Sequence, residues 1–600
     1  MRNPNERGSA LVLVMFVALL LTILGLAVLG ATVGGAQRTE TRENDVQSLH
    51  LAQKGLDETA AYIQTKLDGR KDIDPDHMED EIKDIVNEVS TKIVGVSNDV
   101  STELSGAGGT IKSITYEKQD KQKYYVNIEA QATVNGVIRQ LRQKIVIDTY
   151  PDFLKYAFGS EKVLTLNGAP GLHGNIYAGK ELHISDTAVY TYMGVKDLKE
   201  RTQYPRVELL KDQTIATSTE PQPEVHVQSL ESIKYSGNGV IDAAVNKNIA
   251  SSILPTILGI HEEQVFIKPQ KKFIQINVLG SFLDKVEEAT GLTGKKSELE
   301  QAIKDNQLGN YLSTTTLDRL PDENPPYTEP VLKDNPTEEE KDNYKLEYSE
   351  YLEQLRMYQN SLLDKDLNNS TIYNGNLLID GIDYKQLKFS DEAKTGNPSN
   401  KPKWLIVNGD LEVNNYSPDI TKFLEIQANI LVTGNVTIKG QVKFNSTMFV
   451  LGETKVEDAV IQGLSSKELV LISQGDVLIN RIDTFTNPPK KKDEQDSFYM
   501  KAFFYTDSDA NLYGVGSIFW LNGGFFAKGD LTVNAVLGGV TEPLDPALGF
   551  TFENQDTDRY NSGHRFKIQY NQDVFTHQQS SLPRVQQVNV TVGPLELVSH

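Results

Sequence analysis

The sequence predicts a mixed chain: a long N-terminal transmembrane helix, a small α+β head, then a mainly β, right-handed solenoid (β-helix-like) domain carrying a helical insertion. Three observations predict it. No charged residue lies between Arg7 and Arg38. A clean alternating pair of strands surrounds Asn135-Gly136. Beyond residue 150, a pattern of Gly, then Asn or Asp, then apolar–any–apolar recurs. The expected divisions are a leader at 1–8, a membrane span at 9–36, a helix extension and head at 37–150, a first β part at 151–239, an insertion at 240–369 and a second β part at 370–600.

Composition bounds the function. The chain has 600 residues, enough for roughly three to four structural units. Lys plus Arg total 60 against 82 Asp plus Glu, a net charge of −22. Such an acidic chain repels a phosphate backbone, so no nucleic-acid partner is expected. Cysteine is absent, which removes disulfides, thiolate metal sites and Cys nucleophiles.

Residues 9–36 would make a helix roughly 40 Å long at about 1.5 Å per residue, more than the ~30 Å hydrocarbon core. Arg2 and Arg7 precede it, and Glu40, Glu43 and Asp45 outnumber Arg38 and Arg42 just after it. That asymmetry places the N-terminus in the cytoplasm and the bulk outside, as a single-pass cell-membrane protein. A secretory signal peptide would have an apolar region of about 7–15 residues, shorter than this one. A plain anchor is the other alternative. Past the span, Val46, Leu49, Ala52, Leu56, Ala60, Ile63 and Leu67 recur at steps of three or four, which continues one amphipathic helix.

The segment 7–61, including "LAQKGLDETAAY", resembles the N-terminal region of type IV pilin-like proteins, in particular the PilX-like minor pilins. The resemblance covers about a tenth of the chain. It implies that a prepilin peptidase cuts after Gly8, that Ser9 becomes the mature, commonly methylated N-terminus, and that the freed helix packs into a pilus or pseudopilus. It also implies other pilins and the pilus assembly platform as partners. Two positions depart from the major-pilin pattern: Ser9 replaces the usual Phe, and Leu13 stands at mature position five, where major pilins carry Glu. A carboxylate in an apolar bundle is costly unless paired, so Leu13 removes a register-setting contact and favours a minor, initiating or tip role.

A second helix is expected near 75–93, with Ile82, Ile85, Val86, Val89 and Ile93 on one face and Asp74-Pro75 at its start. In "YYVNIEAQATVNGVIRQLRQKIVID", Val126, Ile128, Ala130, Ala132 and Val134 alternate with polar residues up to Asn135-Gly136, the preferred two-residue hairpin turn. A helix followed by antiparallel strands suits a pilin-like α+β head.

The outer portion repeats "LHGNIYA", "YNGNLLI", "VNGDLEV", "VTGNVTI", "SQGDVLI" and "AKGDLTV", whose turn glycines are Gly174, Gly375, Gly409, Gly434, Gly475 and Gly529. Gly is expected to supply a positive φ and Asn or Asp to tolerate it. Repetition on this scale marks a solenoid, and the outer part resembles the β-solenoids of bactofilin-type proteins. A β-sandwich or jelly roll is the alternative. Within 240–369, "FLDKVEEATG", "SELEQAIKD" and "TEEEKDNYKLEYSEYLEQLRMYQNSLLDK" read as helices around a Pro-rich connector.

Chemistry-bearing motifs are few. "HEEQV" begins like the zinc motif H-E-x-x-H, but Val265 occupies the second His position. "DSDAN" begins like a calcium loop, but Leu512 and Ile518 stand where Gly and Glu belong. "PPKKKDEQD" reads as a solvated loop. No catalytic residue, cofactor site or metal site is expected, and the protein reads as a structural subunit rather than an enzyme. A minor pilin-like subunit displaying a β domain near a fibre tip, with a cell-wall or surface ligand, is the expected function. A static envelope scaffold or adhesion protein, or a β-helix polysaccharide-active enzyme, are the alternatives.

Overall fold

A computed structural model describes residues 6–68, 78–96, 107–120, 123–148, 152–192, 195–207, 223–267, 276–319, 328–333, 336–363, 367–381, 386–389, 402–415, 422–465, 467–480, 487–488, 498–541, 549–553, 563–571, 573, 581 and 588–598. The chain forms two compact units, 1–150 with 585–600, and 151–584.

The first unit is built on α1 (Glu6–Asp68), a single helix of 63 residues, about 95 Å long at ~1.5 Å per residue. Its C-terminal half packs by burying Leu51, Ala52, Leu56, Ala60, Ile63 and Leu67. Nearer the middle, the expected face is corrected: Val46 is exposed, and Asn44 and Ser48 are buried instead. The reason is polar. Asn135 at the hairpin tip donates to Asn44 at 3.0 Å, and Arg139 pairs with Asp45 at 2.5 Å, so hydrogen bonds rather than apolar area set the helix rotation there.

α2 (Met78–Val96) buries Met78, Ile82, Ile85, Val86 and Val89, as its period demands. Asp74 and Pro75 lie outside the described residues. Lys66 and Glu88, 3.0 Å apart, join the two helices. The sheet comprises β1 (Ala107–Asp120), β2 (Lys123–Val134) and β3 (Val137–Asp148), all antiparallel. Asn135 and Gly136 have φ of 47° and 84°, the double left-handed pair of a type I′ turn. The strand β1 was not expected from the sequence, because its alternation is broken by bulges at Ile111/Ser113 and Lys118/Asp120.

A fourth strand, Asn589–Leu597, pairs antiparallel with β3 from Asp148↔Asn589 to Leu141↔Leu597. This corrects the expectation that 370–600 form one β body. Val590 and Val592 of this strand lie opposite Ile147 and Ile145 of the head, while Val592, Leu595 and Leu597 stay exposed, so the backbone ladder rather than apolar burial joins the strand to the edge.

The second unit holds two large, separate sheets of parallel strands. Through most of the unit successive strands alternate between them, with exceptions such as Gln386–Lys388 and Leu424–Gln427, which follow a strand of their own sheet. In one sheet the run Thr371–Asn374, Trp404–Asn408, Asn429–Val432, Ser446–Val450, Leu469–Ser473, Tyr499–Thr506 and Phe519–Ala527 is continuous. The other runs through Leu377–Asp380, Leu411–Asn415, Val436–Phe444, Thr454–Gly463, Val477–Asn480, Ala510–Gly514 and Leu531–Ala535. Apolar side chains between the two sheets make one continuous core.

The order of stacking departs from chain order. Phe519–Ala527 pairs with Phe158–Ser160, and Leu531–Ala535 with Val163–Gly168. The strands of 151–239 therefore continue the stack beyond the C-terminal strands, rather than preceding Thr371. Segments of the expected insertion also join the sheets: Val240–Ala244, Val265–Ile267 and Asp318–Arg319 are strands at their ends.

Within the insertion, Val278–Thr290 is a helix whose Asn277 cap accepts the Gly280 N–H at 2.8 Å, and Gly291 ends it at φ 74°. It packs on Trp404–Asn408 and Asn429–Val432. Lys296–Lys304 is the second expected helix. Glu338–Leu363 is the charged third, opened by a reciprocal box in which Thr337 and Glu340 each accept the other's N–H.

Candidate assembly helix and the stacked turns

The first candidate site is the N-terminal half of α1. From Leu11 to Val33 its large apolar side chains are exposed, with Leu13 at 64%. Among the described residues no other part of the first unit covers them, and Gly25, Gly30, Gly34 and Gly35 have open space where a Cβ would be. Thr22 and Thr32 return their hydroxyls to the Ala18 and Val28 carbonyls at 2.7 and 2.8 Å, leaving few polar groups to hydrate. The helix is long and apolar enough to cross a membrane. Gly8 and Ser9 lie in its helical backbone, within the first turn after Glu6. A protease acting at that bond would have to open the first turn, whose N–H groups have no intrahelical partner and whose unwinding is therefore cheap.

The second is the line of turns joining the two sheets. Gly434 donates to the Gly409 carbonyl at 2.9 Å, Gly452 to Gly434 at 3.0 Å and Gly475 to Gly452 at 3.1 Å. Alongside, Asp410 N–H reaches Asn376 Oδ1 at 2.9 Å, Asn435 N–H reaches Asp410 Oδ1 at 2.7 Å, and Glu453 N–H reaches Asn435 Oδ1 at 2.9 Å. Each Asn or Asp thus satisfies the backbone of the next turn, which would otherwise hold unpaired donors.

The expected role of these glycines is corrected. Gly375 (φ 114°) and Gly174 (φ 125°) are left-handed, but Gly409, Gly434, Gly475 and Gly529 are not. Their need for Gly is close approach: a Cβ on Gly409 would lie 2.3 Å from the Gly375 carbonyl oxygen, and one on Gly529 2.1 Å from Asp509 Oδ1. Gly174 is out of phase as well, since its strand Ile176–Ala178 belongs to the other sheet. The equivalent turn is Gly179, whose Cβ would be 2.1 Å from the Glu161 carbonyl oxygen. The signal for it, Gly-Lys-Glu before "LHI", lacks the Asn or Asp that marks the others.

The motifs with metal-like beginnings are structural. His261 accompanies a 3-10 turn, Glu262–Gln264, and its N–H is held by Gln264 Oε1 at 3.0 Å. Asp507 accepts the Tyr505 hydroxyl at 3.0 Å and lies 3.5 Å from Lys528; burial raises its carboxyl above the ordinary range. Asp509 serves the Asp530 N–H at 2.8 Å. Residues 489–496 of "PPKKKDEQD" lie outside the described residues. Arg565 is fully buried, donating to the Gly516 and Gly538 carbonyls at 2.9 and 3.1 Å; burial brings it down to about 10. Among the described residues, no group of His, Asp and Glu is arranged to hold a metal.

No protein-family model matches the sequence, and no curated protein matches it. Among solved structures it aligns with the competence-associated pilin ComZ from Thermus thermophilus, at a TM-score of 0.26 and 11% identity, over 83% of this chain and 87% of that one. So low a score carries nothing from that pilin to this chain.

Proposed function

We propose that the protein is a minor pilin-like subunit of a type IV pilus or pseudopilus, made as a single-pass membrane precursor with its N-terminus in the cytoplasm. A prepilin peptidase removes 1–8, Ser9 becomes the mature and methylated N-terminus, and the assembly platform draws the helix from the bilayer to pack among other pilins. The second unit, read as a right-handed β-solenoid, is displayed outside near the fibre tip and acts without catalytic turnover.

The observation that carries the reading is the division of α1. One uninterrupted helix is apolar and unpartnered in one half and docked to its own sheet in the other. A membrane anchor needs the first half alone. A helix continuous into the head also lets a lateral partner of the first half position the head rigidly, which is what packing in a fibre demands. Leu13 supplies no carboxylate for a neighbour's N-terminus, which fits a subunit that begins or ends a fibre.

Intact-mass and N-terminal analysis of the native protein, in cells with and without the prepilin peptidase, tests this. A start at Ser9 only when the peptidase is present is expected. An unchanged start in both strains overturns the reading and leaves a static anchor.

A further inference from the structure

A groove of about 800 Å³ lies within the second unit between the helix Glu338–Leu363 and the sheet beneath it. Its floor crosses successive parallel strands, so equivalent positions recur once per strand. One in-register column is Leu378, Glu412, Thr437 and Lys455. Beside it run the turn residues Asn376, Asp410, Asn435 and Glu453, held in line by their own hydrogen-bond ladder. Leu352, Glu353 and Arg356 of the helix form the opposite wall.

Neighbouring strands are ~4.8 Å apart, so four of them present a polar array roughly 15 Å long. The volume is that of a ligand site, but the floor is periodic and the groove open. A periodic floor repeats one set of contacts at each step, and only a ligand that is itself a linear repeat can use more than one set. The chemistry is mixed at each step. Carboxylates and amides accept from hydroxyls, Arg356 and Lys455 donate to oxygens, and Leu352 and Leu378 offer apolar contact. A polyanion would meet Glu353, Asp410, Glu412 and Glu453 unfavourably, and a polycation would meet Arg356 and Lys455. Hydroxyl groups serve as both donors and acceptors.

We propose that this groove binds a linear, neutral glycan chain laid along the stack, across the strands. The proposal stands independently of leader removal, because a static anchor would carry the same groove.

The full chain, in a sugar-free detergent, is titrated calorimetrically with linear β-1,4-linked hexasaccharides of glucose, N-acetylglucosamine and mannose, with their trisaccharides, and with spermidine. At least one hexasaccharide is expected to bind at least tenfold more tightly than its trisaccharide. Arg356→Ala with Lys455→Ala should weaken it at least tenfold. Lys455→Glu, at an exposed strand position, should weaken it without altering the unfolding midpoint. Absence of binding by every hexasaccharide at millimolar concentration overturns the proposal. So does binding indifferent to length or to the Lys455 variant, and so does binding of spermidine alone.

Discussion

The two sheets of the second unit share a chain, a direction and a strand spacing, yet their sequences look unalike. In one, Ser446–Val450 and Leu469–Ser473 are buried at every position. In the other, Val436–Phe444 and Leu411–Asn415 alternate strictly between buried and half-exposed. The difference lies in what covers the outer face. Over the first sheet lie the helix Val278–Thr290 and the aromatic cluster in which Phe153 approaches Phe503, Tyr505 and Phe526 at 5.8, 4.6 and 6.0 Å. Trp520 is closed off by its bond to the His564 carbonyl at 2.9 Å. A parallel sheet covered on both sides loses its alternation. The insertion is therefore, in part, a lid for one sheet.

The sharpest way to break this comparison is to thin the covered side. Phe449 lies on the column Leu431, Phe449, Ile472, Tyr505, on the face away from the shared core. Phe449→Ala should cost about 3–5 kcal/mol, whereas Thr532→Ala on the open face of the other sheet should stay within about 0.5 kcal/mol. Denaturation of the full chain followed by tryptophan fluorescence reads both, since Trp404 and Trp520 both report on this unit. Equal losses would mean that the outer face of the first sheet is not a core.

A smaller effect is expected where the sheets meet. Gly434→Val puts a Cβ 2.2 Å from Asp410 Oδ1 and 2.7 Å from the Gly409 carbonyl oxygen. It should cost about 1–3 kcal/mol by overpacking, read as a lowered denaturation midpoint. Gly375→Val, with no neighbour closer than 3.9 Å, tests the other cause, since its penalty comes from φ 114° alone.

The smallest concerns Asp507, in the turn that leaves the covered sheet. Burial raises its folded carboxyl above the ordinary value near 3.9, so the folded state holds its proton more tightly. Stability from this group is complete below about 3.9 and is lost as pH rises through the folded value. Comparing denaturation midpoints between pH 4 and 7, the chain should lose more stability with rising pH than Asp507→Asn does. Parallel profiles would show that Lys528 fully offsets the burial.

Legibility followed the same divide. The alternating sheet was readable because a solvent face keeps polar residues in phase, and Gly-Asx turns announce each strand. Runs such as "WLIV" and "LVLI" carry no period, so the covered sheet could not be separated from a buried helix by pattern. Gly179 lacks the Gly-Asx mark because Lys180 follows it, whereas Gly174-Asn175 carries the mark at a turn that leads into the other sheet. The reversal that stacks Phe519–Ala527 on Phe158–Ser160 has no local signature, since parallel pairing depends on distant partners. In the head, the type I′ turn was legible from Asn135-Gly136, but Asn44 and Ser48 were not, because polar residues on a helix ordinarily read as its wet side. The apolar half of α1 was plain from composition.

The pairing of Asp148 with Asn589 has a consequence for biogenesis. Everything between those residues must be synthesised before the strand Asn589–Leu597 can zip onto β3. A chain interrupted within the second unit leaves the small sheet with an open edge of unpaired N–H and C=O groups, a template for pairing with another chain. The head's four-stranded sheet therefore closes only after the second unit has been made.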